Sequence, residues 1–259
     1  MINLLLISLL GACLMPQVAR VLGRGAGLIV ALLPAGLFAA FLALAPVVER
    51  GWVRGEGVNW APWLGLDFTL RLDGFSFLFC LLITGIGALV IIYAGGYLTE
   101  KTRSERARFF TYILLFMTAM LGVVLAENLL LFILFWEATS VLSFLLIGFD
   151  GKSARARRAA LMSLQVTALG GLALLAGGVT IGHVLGTYSM AEAIQRRAEI
   201  NASVWGDAIV LCIMLAAFTK SAQFPFHFWL PNAMQAPTPA SAFLHSATIR
   251  MFGSWWCGA

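Results

Sequence analysis

Two charged residues stand alone in apolar surroundings. Lys220 is the only permanently charged residue in the run 208–249, and Glu137 is the only charge in the run 128–149. A charge placed in lipid is expensive, and such residues pair with one another, face a wet cavity or mark an ion pathway. An amine and a carboxylate together suit proton handling. The proton affinity of the amine is set by its burial and by the carboxylate beside it, so moving or neutralising Glu137 would release a proton from Lys220. The same two residues could instead form a static buried ion pair that fixes helix packing. His227 and His245 lie beyond Lys220, and histidine titrates near neutrality and relays protons.

Spacing lets the pair meet. Glu137 lies nine residues beyond Asn128, about 14 Å along a helix, and Lys220 thirteen beyond Asp207, about 20 Å. If both helices run in the same direction, the two groups sit within roughly one turn of the same depth, near the membrane midplane. Pro225, Pro231, Pro237 and Pro239 follow Lys220. The backbone there cannot be continuous helix, and its freed polar groups must be buried in protein or line a wet cavity. His227 falls in this break, near an interface, where ordinary hydrogen bonding is as good a role as proton relay. His245 falls on the next helix among apolar neighbours and is the stronger relay candidate.

The elements that must hold these groups are membrane helices. Of 259 residues, 61% are hydrophobic and 11% charged, a balance no ordinary soluble domain can bury. Runs with at most one charge span 1–19, 25–48, 74–99, 109–126, 128–149, 159–191 and 208–249. At about 20 residues per span these predict roughly seven or eight helices, the last run being divided by prolines. The fold class is therefore all-α, a polytopic transmembrane helical bundle with a broken helix near Pro225. The run 1–19 lacks the basic start of a cleaved signal peptide and reads as a retained helix.

The net charge of +5 reports orientation and gives no reason to expect nucleic acid as a partner. Arg20, Arg24, Lys101, Arg103, Arg106, Arg108, Lys152, Arg155, Arg157 and Arg158 follow odd-numbered spans, against Arg50, Arg54, Arg71, Arg196 and Arg197 in the opposite loops. That bias makes the first set cytoplasmic and the N-terminus external. The four cysteines, Cys13, Cys80, Cys212 and Cys257, have no metal-ligand spacing and read as packing residues. No phosphate loop, zinc spacing, haem motif or nucleophile elbow is present, which argues against soluble-type catalysis, and no cofactor is expected.

The loops carry weaker signals. Segment 49–73 contains Trp52, Trp60 and Trp63 with several glycines and reads as an interfacial stretch at headgroup level. Glu127 and Asn128 alone separate two apolar runs, which predicts a tight helical hairpin with Glu127 solvated in its turn. Asp73 starts a span, where a negative charge favours a helix N-terminus. Ser189 and Glu192 have capping-box spacing, and His183 reads as a packing or interface histidine.

The segment AFTKSAQFPFHFWLPNAMQAPTPASAFLHSAT, residues 217–248, resembles the proton-pathway signature of antiporter-like membrane subunits. This family includes the large subunits of Mrp-type multisubunit sodium/proton antiporters and the pumping subunits of complex I. Phe135, Trp136 and Glu137 match it as well. The wording around Asn232 to Pro237 and Leu244 to Thr248 is closest to the large A-type antiporter subunits. The resemblance implies that Glu137 and Lys220 are the coupled pair of a first half-channel, with His245 continuing the relay.

By the same resemblance the chain divides into N-terminal transmembrane helices, 1–108, and a first antiporter-like helical unit, 109–259, apparently truncated because family members continue for several hundred residues. The family has a lysine three residues after Thr248, where this chain has Met251, and Arg250 points about 100° away from that position on a helix. The implied function is exchange of sodium, or another monovalent cation, for protons in a hetero-oligomer of the bacterial inner membrane, with no bound cofactor. Two alternatives stay open: a proton-pumping subunit of a respiratory NADH:quinone oxidoreductase-like complex, and an inactive fragment with a structural role.

Overall fold

The computed structural model describes residues 1–22, 25–49 and 53–244. Its long helices are α1 (Ile2–Leu22), α2 (Ala26–Leu42), α4 (Gly74–Tyr97), α5 (Arg103–Leu125), α6 (Leu129–Ile147) and α7 (Ala154–Leu185), with a short α3 (Ala45–Glu49) after α2. Short α8 (Met190–Gln195) and α9 (Arg197–Ala202) lead into α10 (Gly206–Lys220), followed by α11 (Trp229–Ala233) and α12 (Thr238–Phe243). Among the described residues six helices are long and apolar enough to cross a membrane. The seventh expected span is α10, whose fifteen residues reach about 22 Å. The eighth expected span begins with α12 (Thr238–Phe243), and the rest of its run, from residue 245, lies outside the described residues.

α5 is the central helix, buried along most of its length, and α1, α4 and α6 pack around it. The contact with α1 includes a buried polar pair, Ser8 Oγ and Thr118 Oγ1, 2.6 Å apart. Where α2 crosses α4, Gly27 and Gly95 face each other, and a Cβ built on either would stand 2.5 or 2.8 Å from the other's Cα. Small residues here let two backbones touch, the packing that lipid-embedded helices favour.

Segment 49–73, read from sequence as an interfacial stretch, contains a strand pair that the reading did not include. Residues Arg54–Ala61 (β1) and Leu66–Leu72 (β2) form an antiparallel hairpin, in register from Arg54 opposite Leu72 to Val58 opposite Phe68, with an irregularity before Ala61. Alternation of Leu66, Phe68, Leu70 and Leu72 drives it: Leu70 and Leu72 are buried against the helices, the period-two pattern of a half-buried strand. Trp60 and Trp63 project outward, while Trp52 lies outside the described residues.

The hairpin also ties the helix ends together. Glu127 is not a solvated turn residue but a junction. Its backbone N–H donates to Thr69 O, and its carbonyl accepts from Met190 N. Its carboxylate accepts from Ser189 Oγ at 3.1 Å and Ala191 N at 3.0 Å, and lies 3.6 Å from the Arg71 guanidinium. A charge that gathers this many donors in a turn between two spans is bound by the fold. Asp73 caps α4 in a reciprocal capping box with Ser76. Ser189 caps α8 by accepting from Glu192 N.

Candidate functional site

The site is assembled by three helices. Asn128 starts α6, its side chain accepting from Leu130 N and Leu131 N while its amide donates to Gly65 O. That cap sets the helix register. Two turns on, Trp136 is fully buried, and Glu137, Thr139, Ser140 and Ser143 are the polar residues of an otherwise apolar helix. α10 does not lie directly along α6; both pack on α7.

α10 ends at Lys220, earlier than Pro225 itself. Proline lacks the N–H that would bond the carbonyl four residues back, and it pushes Phe224 away from helical geometry. The chain instead closes with Ala222 in the left-handed region (φ 53°) and Gln223 N bonded to Phe218 O, a Schellman-type stop. A freed carbonyl, that of Thr219, accepts from the Trp229 indole at 2.9 Å. Backbone released at membrane depth is thus repaired by a side chain of α11.

Lys220 is 5% exposed. Its ammonium donates to Thr139 Oγ1 at 2.7 Å, Ser140 Oγ at 2.8 Å and Trp136 O at 3.4 Å, and lies 5.1 Å from the centre of the Trp136 ring. These four contacts all come from α6. Glu137 is half-buried on the same helix, and its Oε1 is buried with no hydrogen-bond partner among the described residues. The two groups are brought to one level of the bundle but do not form a direct ion pair: no oxygen of Glu137 lies within 4 Å of the lysine nitrogen.

α7 makes room for this. Gly171 lies against the Glu137 carboxylate and Gly170 against the Thr219 hydroxyl, so that a Cβ on either glycine would overlap the facing side chain. On the same flank of α7, Ser163 and Thr167 are buried.

The other sequence candidates are more dispersed. His227 lies exposed in a 3-10 turn, its ring stacked on Phe224 with centroids 6.0 Å apart; no contact joins it to Lys220 among the described residues. His245, Arg250 and Met251 lie outside the described residues. His183 is exposed in the last turn of α7. Sequence reasoning missed Thr139, Ser140 and the Gly170–Gly171 notch. The signal was there in two adjacent hydroxyls within a turn of the lone carboxylate.

A family model described as NADH:quinone oxidoreductase/Mrp antiporter, TM, matches residues 126–255, the part that carries α6, α7, α10 and the broken segment. The chain belongs to this family. A second family model, complex I chain 5 N-terminus, matches residues 60–110. A probable K(+)/H(+) antiporter protein of Rhizobium meliloti, named as its A/B subunit, is 50% identical over 82% of the chain and 21% of its own length. The A-type subunit of the Na(+)/H(+) antiporter of Alkalihalophilus pseudofirmus is 45% identical over 86% of the chain and 28% of its own. The family member in the Mrp complex from Dietzia sp. superposes with a TM-score of 0.83 at 33% identity, over 96% of this chain and 27% of that one. An archaeal membrane-bound sulfane sulfur reductase has a TM-score of 0.81 at 22% identity, which shows the shared fold. The chain thus spans under a third of the length of these antiporter relatives.

Proposed function

We propose that the chain is the first proton-handling unit of a monovalent cation/proton antiporter subunit, working with other subunits in a bacterial inner membrane. The observation that carries this reading is Lys220, a buried amine at the broken end of α10, held by α6 hydroxyls two and three positions from a carboxylate whose Oε1 has no partner among the described residues. A static packing pair would be closed, each charge satisfied by the other. An amine on hydroxyls beside an unpartnered carboxylate oxygen has a second arrangement available to it. In this reading Lys220 holds its proton most firmly when Glu137 is ionised and close, and the hold weakens when the two separate. His245 and His227 extend the route beyond the helix break, and the proton gradient supplies the energy.

Relatives at 45–50% identity named as antiporter subunits favour cation exchange over the redox-driven pump of a complex I-type assembly, which would use the same residues. Sodium-dependent proton flux in vesicles, measured on the assembled complex with Glu137→Ala and Lys220→Ala, tests the proposal. Both variants should assemble and lose transport. Normal flux from Glu137→Ala would leave the carboxylate without a role.

A further inference from the structure

The hydroxyls under Lys220 are oriented before the lysine arrives. Thr139 Oγ1 donates to Trp136 O at 2.7 Å, and Ser140 Oγ donates to the same carbonyl at 3.3 Å. With both hydrogens directed at that carbonyl, the lone pairs of both oxygens face the amine at 2.7 and 2.8 Å, while Trp136 O lies farther off at 3.4 Å. The indole face of Trp136 adds a fourth, cation-attracting contact. We infer that Trp136, Thr139 and Ser140 form a resting cradle for the Lys220 ammonium. The cradle holds Lys220 off Glu137 and is the second position of a two-position lysine. Thr139 and Ser140 are positioning residues, and this role rests on the proton-handling reading above.

Among the described residues the titratable group beside the cradle is Glu137 on α6. α7 carries its charges at its ends, Arg155, Arg157 and Arg158 at the start and His183 in the last turn, and α10 carries Asp207 in its first turn. His227 in the following 3-10 turn faces outward. Without the hydroxyls, Glu137 is the strongest remaining acceptor for the ammonium among these groups. With the ammonium's donors left unmet, the charge-assisted bond to the carboxylate becomes the better partner, so the lysine would settle into a closed pair.

The test uses the assembled complex carrying Thr139→Val/Ser140→Ala, with Thr139→Ser as the conservative control. In a cryo-EM structure of the double variant, Lys220 Nζ should lie within about 4 Å of the Glu137 carboxylate, the ion-pair distance. The pH profile of cation-dependent proton flux should move to alkaline pH by about one unit, a tenfold change in proton affinity. Thr139→Ser should keep the parental profile. A lysine still seated against Trp136, or a parental pH profile in the double variant, overturns the cradle. If the double variant does not assemble, Ser140→Ala is read on the same two axes with the same outcomes. Full flux from Lys220→Ala would instead sink the proton-handling reading itself, whereas failure of the cradle alone leaves Lys220→Ala inactive.

Discussion

The carboxylate of Glu137 lies against the α-carbon of Gly171, in a gap that a single methyl group would fill. The glycine on α7 thereby decides where the carboxylate on α6 can stand. Gly171→Ala should displace Glu137 while costing little helix stability, since alanine is the better helix former by about 1 kcal/mol. Flux should fall at least tenfold with normal assembly, as measured in vesicles against complex abundance. Parental flux would show that the carboxylate tolerates a different position.

The neighbouring glycine gives a contrasting expectation. Gly170 faces the hydroxyl of Thr219, a residue whose side chain bonds back to its own helix at Leu215 O and Ala216 O. Gly170→Ala pushes α10 away from α7 and should lower thermal stability by about 1–3 kcal/mol, the range for overpacking. Combining it with Thr219→Ala should recover most of that loss. A thermal melt of the purified complex checks the pair.

How much of this was legible from the residues alone depended on how local each signal was. The apolar runs predict α1, α2, α4, α5, α6 and α7 because burial in lipid depends on composition over about 20 residues. The hairpin was hidden because Trp60 and Trp63 point to an interface by composition, while the alternation in 66–72 carries the structure. Lys220 was readable as exceptional, but its partners were not. Which neighbour a long side chain reaches depends on helix rotation and on α7 standing between α6 and α10, neither of which is written in a local pattern. Glu127 reads as solvated for the same reason: its partners, Arg71, Ser189 and Ala191, lie 56 to 64 positions away.

That junction makes a prediction. Glu127→Ala strips acceptors from Ser189 and Ala191 and leaves Arg71 without this carboxylate, so it should destabilise the complex by about 1 kcal/mol, the low end of the cost for donors left unmet because these are only partly buried. Proton flux at low temperature should be retained, because Glu127 sits at the hairpin end of the bundle, well away from the level of Lys220. A thermal melt beside a flux assay separates the two effects; equal loss of both would place Glu127 in the transport route.

Helix packing at the other side of the bundle offers a control. Gly27→Leu inserts a side chain where α2 and α4 backbones meet, and it should impair assembly outright, because close contact of small residues is the source of helix association in lipid. Quantifying assembled complex in membranes checks it, and normal amounts would show that these helices can separate without consequence.

The central claim is that Lys220 gives up and regains a proton, rather than merely carrying a charge. Lys220→Arg keeps the positive charge but cannot be deprotonated under physiological conditions. Cation-dependent proton flux should vanish in this variant while the complex assembles at parental levels; transport at the parental rate would contradict the account.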